Sequence, residues 1–390
     1  MQGIVPQLET AAKTQDGDNR KLVLAGDFVI NSRSDRRGAC GVSPCDGSVT
    51  LISNVLAPKH LDQMDVSYFS YLFKTEGFAD EFYKQGTGIV DDLWSTNWSR
   101  MKNIEVCIPP LAEQKTISSY LDSRTASIDT LLRETEQSVT LLEEYRKAVI
   151  AEIITKGLDS SVPMKNSGVE WIGMIPEHWS TSKLRYCGTT QNGISKGGEY
   201  FGSGFPFISY GNVYRNELDN PALFGAIEST FEERERYSLK RGDILFTRTS
   251  ETIEEVGVAA GVLCDIDDCC FAGFLIRFRP FESWGLIPEY AAYYFRADVY
   301  RPYLTKEMVL VTRASMSQQL LGGIAIPIPP KGEQRAIVRY LDERTSAIEA
   351  LIVEKRAVID HLREYRKSLI SEAVTGKFKV QANRTMEKKA

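Results

Sequence analysis

The residues best suited to chemistry lie in three clusters of the second half of the chain. The first is the glycine-rich stretch Gln191, Asn192, Gly193, Ile194, Ser195, Lys196, Gly197 and Gly198. The second is Ser209, Tyr210, Gly211, Asn212, Val213, Tyr214 and Arg215, directly after the apolar run Phe205 to Ile208. The third joins Arg248, Thr249 and Ser250 to Arg313, Ser315, Met316, Ser317 and Gln318. Amides and guanidinium groups suit the edges of bases, ammonium groups suit phosphate, and glycine lets backbone come close, so this residue set is that of contact with nucleic acid. Solvated turns and surface ion pairs use the same residue types, and both alternatives stand beside the first.

The first half offers a parallel set: Asn31, Ser32, Arg33, Arg36 and Arg37, with Asn97 and Arg100 further on. Catalysis has weaker support. The three histidines, His60, His178 and His361, lie far apart, and neither a phosphate-cradling G-x-x-x-x-G-K-[ST] loop nor an H-E-x-x-H helix occurs. Asp243, Glu251 and Glu254 offer carboxylates for a metal-dependent nuclease centre, but Gly-Asp recurs in both halves as a turn, which favours a structural role.

Composition sets the frame for these clusters. With 390 residues, 43% hydrophobic and 25% charged, the chain has room for two globular domains and a scaffold. A net charge of −5 requires any DNA-facing patch to be local. No apolar stretch is long enough for a membrane span and Met1 to Arg20 lacks the pattern of a signal peptide, so a cytoplasmic protein is expected. Seven cysteines without paired C-x-x-C spacing are expected as thiols, with no metal and no cofactor.

The elements that position the clusters come in duplicate. Ile108 to Gly157 and Ile328 to Lys377, aligned at an offset of 220 without gaps, share 22 of 50 residues, including I-P-P, E-Q, Y-L-D, R-T and E-Y-R-K. Each copy starts at Pro-Pro and, after its first few residues, runs without Pro or Gly to its Thr-Lys-Gly or Thr-Gly-Lys end, which predicts one long helix per copy. Leu121, Ile128, Leu142 and Val149 recur every seven residues beside Leu132, Val139 and Ile153. Leu341, Ile348, Leu362 and Leu369 do the same beside Ile352, Ile359 and Ala373, so both helices carry a coiled-coil seam. Thr135 and Lys355 are the polar positions in the seams, either fixing register or snorkelling at an edge. Helices of about 45 residues reach about 65 to 70 Å, and an antiparallel pair would act as a rigid spacer.

The duplication extends upstream. Ala25 to Arg33 answers Arg241 to Arg248 as a Gly-Asp turn leading into an apolar strand, and Tyr68 to Phe73 answers Tyr290 to Phe295 as a helix with inward aromatics. The halves are unequal, because Ile175 to Gly242 supplies 67 residues before the second Gly-Asp turn and only 25 precede Gly26. The expectation is an N-terminally truncated first domain.

The pair of I-P-P-x-x-E-Q and Y-L-D-x-R-T blocks, with Ser167 to Gly173 (S-G-V-E-W-I-G) and Ile175 to Trp179 (I-P-E-H-W) between them, resembles type I restriction-modification specificity subunits over nearly the whole chain. The resemblance implies an α+β protein in which two target recognition domains, mixed α/β and strand-rich, are separated by two long antiparallel coiled-coil helices. It implies a first recognition domain at 1–107, a spacer helix at 108–158, a second recognition domain at 159–327, a second helix at 328–379 and a disordered tail at 380–390. It further implies recognition of a two-part site in double-stranded DNA, two methyltransferase subunits and restriction subunits as partners, and no catalysis by this chain. A truncated first domain would leave the chain inactive or dependent on a homodimer. Glu113, Gln114, Arg124, Tyr145, Arg146 and Lys147, with their mates Glu333, Gln334, Arg344, Tyr365, Arg366 and Lys367, are the expected exposed docking residues, unless the helices use them on each other. A purely structural coiled-coil adaptor is the other class, and it predicts no sequence-selective DNA binding.

Overall fold

A computed structural model describes residues 20–33, 38–60, 62–89, 94–308 and 314–380. The chain forms two compact units, Met1–Val139 with Glu354–Ala390, and Thr140–Val353. Two long helices, α4 (Leu111–Lys156) and α11 (Lys331–Val374), each begin in one unit and end in the other. Of the expected tail, 380–390, Val380 is partly buried against the core of the first unit and the remainder lies outside the described residues, as do residues 1–19.

In the first unit the strands are β1 (Lys21–Val23), β2 (Phe28–Asn31), β3 (Cys40–Val42), β4 (Gly47–Val49) and β5 (Ser53–Leu56). Three short helices follow: α1 (Val66–Leu72), α2 (Glu76–Lys84) and α3 (Trp98–Met101). β2 lies between β3 and β5, both antiparallel to it. Gly26 precedes β2 at φ 95°, and Asp27 turns its carboxylate back to accept from the Leu24 amide at 2.8 Å. A left-handed backbone at that point is open to glycine and costly for other residues, which explains the Gly-Asp pair.

In the second unit, β6 (Met164–Asn166), β7 (Met174–Pro176), β8 (Ser180–Lys183), α5 (Leu184–Cys187) and β9 (Gly188–Asn192) come first. They are followed by β10 (Phe201–Ile208), α6 (Tyr210–Arg215), β11 (Gly225–Ile227) and α7 (Phe231–Arg236). Then come β12 (Ile244–Thr247), β13 (Thr249–Ser250), β14 (Ala259–Gly261), β15 (Cys270–Phe271) and β16 (Leu275–Pro280). The unit continues through α8 (Pro288–Arg296), α9 (Arg301–Glu307), β17 (Ala314–Ser315), α10 (Gln318–Gly323) and β18 (Ala325–Ile328). Its main sheet has the order β14-β12-β16-β9. The Gly-Asp turn repeats, with Gly242 at φ 97° and Asp243 accepting from the Lys240 amide at 2.8 Å. Asp243 also binds Arg279 at 2.6 Å, so this buried carboxylate is committed to the turn and to an ion pair.

Each unit packs the start of one long helix against the end of the other. In the first, Tyr68, Phe69, Ile117, Leu121 and Ile128 bury together with Leu369, Ile370, Ala373 and Val374. In the second, Tyr290, Tyr294, Ile337 and Leu341 bury with Ile154. Fully burying an aliphatic side chain of this size contributes about 1.5 to 3 kcal/mol, so the seams are a principal source of cohesion. The helices run antiparallel within each unit. Asp129 pairs with Arg366 and Glu136 with Arg363 in one; Arg146 pairs with Glu349 while Lys156 and Ile337 line one cavity in the other. Thr135 and Lys355 are half-buried, and Thr135 donates to its own helix at Leu131 O, 2.7 Å away.

The two E-Q motifs correct the expectation of exposure. Gln114 and Gln334 are wholly buried. Gln334 accepts from the Ile287 amide at 2.8 Å and donates to Gly285 O and Pro329 O; Gln114 accepts from the Asp65 amide at 2.8 Å and donates to Gln63 O and Pro109 O. A primary amide offers one acceptor and two donors, which is what three backbone groups at a helix entrance require. The Y-L-D-x-R-T blocks act similarly: Tyr71 donates to Asp122 and Tyr293 to Asp342, both at 2.7 Å. Of the cysteines, Cys187, Cys269 and Cys270 are buried free thiols, and burial pushes the Cys269 thiol up to about 12.

Candidate nucleic-acid interface

The main sheet of the second unit gathers the clusters at one end. β9 stops at Asn192 opposite Ile276, and β12 stops at Thr247 opposite Leu275. The next residue, Arg248, donates its amide to Phe274 O at 2.8 Å, so Asn192, Arg248 and Phe274 share one edge. Arg248 O accepts from the Met316 amide at 2.8 Å, and β13 pairs with β17 through Thr249↔Ser315 and Ser250↔Ala314. Ser317 then caps α10 by accepting from the Leu320 amide, which brings Gln318 onto the same edge. Its amide donates to Asn192 Oδ1 at 3.1 Å and accepts from the Thr190 hydroxyl at 2.9 Å.

The first and third clusters therefore meet. Ser195 and Ser315 are exposed hydroxyls, and Phe274 is 64% exposed. The half-buried Arg248 has no side-chain hydrogen bond or ion pair among the described residues. Gly193 and Gly273 allow the loops to close: a Cβ on Gly193 would meet the Phe271 and Ala272 carbonyls at 2.2 Å, and one on Gly273 would meet Ser195 Oγ at 2.2 Å.

Several predicted contacts are spent inside the protein instead. Gln191 accepts from the buried Arg277 guanidinium, whose pKa is lowered to about 10, first by burial and then by neighbouring Arg279. Lys196 is paired with Glu233 at 2.6 Å and bonded to Glu228 O at 2.9 Å, with its ammonium over the Tyr200 ring. That ammonium holds the Glu233 carboxyl below its usual range. Asn212 is buried, accepting from Ser209 and donating to Leu223 O at 2.9 Å, so it fixes the start of α6. Arg215 is paired with Glu217 at 2.8 Å. Tyr210, half-buried, donates to Glu255 O at 3.2 Å, and Ser250 bonds the Glu255 carboxylate. Desolvation and local pairing engage these groups, though Arg215 stays exposed, whereas Arg248, Ser195 and Ser315 at the sheet end make no side-chain hydrogen bond among the described residues.

The first unit repeats the backbone crossing with different side chains. Thr96 donates its amide to Ser32 O at 2.8 Å and Arg33 bridges Ser95, as Met316 does to Arg248 and Thr249 does to Ser315. Asn31 accepts from the Arg33 amide, Ser32 donates to Ile52 O, and Arg33 is exposed. Asn97 caps α3 by accepting from the Arg100 amide, leaving the Arg100 side chain exposed. Arg36, Arg37 and Arg313 lie outside the described residues.

The expected docking residues divide in the same way. Arg146 and Arg366 pair with Glu349 and Asp129, and Arg344 donates to the Tyr145 hydroxyl at 2.8 Å. Glu333 accepts from Trp179 Nε1 at 2.8 Å and lies 2.6 Å from His178 Nε2, which accounts for I-P-E-H-W as a latch on the start of α11. Glu113 and Arg124 are exposed, the latter over the Tyr120 ring. Sequence reasoning missed Arg277, Thr190 and Phe274. It also missed the tyrosine–aspartate pairs, although their common spacing of 49 to 51 residues within two aligned repeats was a usable signal.

Comparison with known proteins places this geometry. The family model described as "Type I restriction modification DNA specificity domain" matches residues 24–141 and 177–360, well over half of the chain. The MjaVIII specificity subunit of Methanocaldococcus jannaschii is 25% identical over 315 residues, covering 80% of this chain and 70% of that protein. The EcoKI specificity subunit of Escherichia coli K12 is 26% identical over 371 residues, covering 91% and 75%. A solved chain from a study of assembly and conformational transition of the type I restriction-modification system aligns with a TM-score of 0.73 at 18% identity, covering 93% of this chain and 85% of that one. The HsdS subunit of Thermoanaerobacter tengcongensis aligns at 0.53, also 18% identical, covering 93% and 84%. The chain belongs to the family of type I restriction-modification DNA specificity subunits.

Proposed function

We propose that this chain selects a two-part site in double-stranded DNA, one half read by each unit, and holds methyltransferase and restriction subunits that perform the chemistry. The observation that carries this reading is the repeated crossing, Thr96 on Ser32 and Met316 on Arg248, which offers one strand-end surface per unit. In the second unit that surface presents Asn192, Gln318, Arg248, Ser195 and Ser315 beside Phe274. Amides suit adenine edges, guanidinium suits guanine or phosphate, and an exposed ring suits the thymine methyl group.

The chain itself is non-catalytic on this reading. Two methyltransferase subunits dock on helix surfaces that carry Glu113, Arg124, Lys147 and Tyr365, which are exposed. Among the described residues, no helix is long and apolar enough to cross a membrane.

Selection of duplexes from a randomised pool by the assembled complex tests the reading. Two short fixed blocks separated by a constant gap are expected; a single contiguous block, or no enrichment, contradicts it.

A further inference from the structure

The last three residues of β9 are each tied by a side-chain bond to a distant part of the second unit. The Thr190 hydroxyl donates to Gln318 at 2.9 Å and Asn192 accepts from Gln318 at 3.1 Å, across 128 and 126 residues of sequence. Gln191, whose side chain leaves the strand on the other face, accepts from Arg277 of β16, 86 residues away. The backbone ladder already sets the register, with Arg277↔Gln191 and Ile276↔Asn192 as neighbouring pairs. The side-chain ties therefore add orientation to a strand that is already placed.

Arg277 is a costly residue for such a tie. It is 6% exposed and has no carboxylate of its own, because Asp243 gives both oxygens to Arg279, at 2.7 and 2.6 Å. Its guanidinium donates to Ser238 O and to Gln191, lies 5.6 Å from the centroid of the Phe271 ring, and leaves Nε without a hydrogen-bond partner among the described residues. A buried charge of this kind commonly destabilises a fold relative to an apolar residue of similar size. The internal repeat shows that the pairing of these strands does not require it: Val29↔Val55 in the first unit repeats Leu245↔Arg277 in the second, so valine fills the same place there. What a guanidinium does supply is donors alone, so it holds the Gln191 amide by its oxygen and in one orientation.

We propose that Arg277 is a positioning residue for DNA recognition: by gripping Gln191 it fixes the end of β9, so that Asn192 meets one base pair in a single orientation. The inference rests on the reading of the sheet end as the DNA surface. Arg277 is buried and on this account touches no phosphate. Its loss loosens base choice at one position and leaves the general attraction to DNA as it was.

The test uses the full chain in its assembled complex, the duplex that it selects, and a panel of that duplex carrying each single base-pair change in turn. Asn192→Ala is expected to lose about tenfold in discrimination at one base pair. Arg277→Met is expected to lose about threefold or more at the same base pair, with an unchanged slope of log affinity against log salt, and the two changes together no more than Asn192→Ala alone. Arg277→Met combined with Gln191→Leu removes both partners of the bond. That chain is expected to melt at or above the temperature of the unchanged one and still to lack the discrimination, which a purely structural arginine would not explain. Full discrimination in either Arg277 variant, losses that multiply when Arg277→Met is joined to Asn192→Ala, a salt slope reduced by about 1, or unfolding of the Arg277→Met, Gln191→Leu chain overturns the proposal. An Asn192→Ala chain that keeps every base preference, or an unchanged chain that selects no duplex, overturns the reading of the sheet end and this inference with it.

Discussion

The Tyr290 hydroxyl donates to the Ile154 carbonyl at 3.0 Å, joining a short helix of the second unit to the last turn of α4. Tyr68 makes the equivalent bond to Val374 O, also at 3.0 Å, at the last turn of α11. Both rings are fully buried. Tyr290→Phe and Tyr68→Phe each leave buried carbonyls without this donor and are expected to cost about 1 to 3 kcal/mol, read by denaturant unfolding. An unchanged midpoint for either would show that the tyrosine tie is not needed.

The tyrosines of α1 and α8 set an alkaline limit. Burial pushes Tyr68, Tyr71 and Tyr293 up to about 12, and Tyr290 higher still, against an ordinary value of 10. The folded state then holds protons that the unfolded chain has released, so stability is fully present below pH 10 and falls as pH rises from 10 through 12. Melting temperatures measured across that window are expected to drop, and less steeply in Tyr68→Phe.

Gln334→Ala removes a buried amide that satisfies Ile287 N, Gly285 O and Pro329 O. The loss is expected to exceed that of Tyr290→Phe, at about 3 kcal/mol or more, because three backbone groups lose their partners. Arg146→Ala, which breaks the partly exposed pair with Glu349, is expected to cost no more than about 1 kcal/mol. Reversal of that order would return the E-Q motif to the surface.

Two cations of the second unit should behave differently. Arg248→Ala is expected to weaken DNA binding and reduce the slope of log affinity against log salt by about 1, as loss of one phosphate contact does. Lys196→Ala is expected to leave that slope unchanged, since the ammonium is already committed to Glu233. Filter binding over a salt series separates the two.

Much of the architecture was legible because it depends on periodicity. Leu121, Ile128, Leu341 and Ile348 recur at seven-residue spacing and are buried where the helices pack. The Gly-Asp turns were legible for a local reason, the left-handed backbone at Gly26 and Gly242. Polar residues were harder to read, because their role depends on what lies across the fold. Asn212 and Lys196 have the chemistry of DNA contacts, yet one anchors α6 and the other neutralises Glu233. Gln114 and Gln334 looked like surface residues because nothing local reveals the three backbone groups each one serves. The meeting of Asn192 with Gln318 rests on a contact 126 residues apart in sequence, which no local pattern carries.

The central claim is that each unit reads its own half of the DNA site. Its most direct test is methylome sequencing of cells expressing the cognate methyltransferase subunit with this chain, and with the chain carrying Asn192→Ala and Gln318→Ala. A split motif with two different halves is expected, and the double variant should relax only one half, since a lost base contact of this kind is worth about 1 to 3 kcal/mol of discrimination. A palindromic motif, no new motif, or a motif untouched by the double variant would contradict the account.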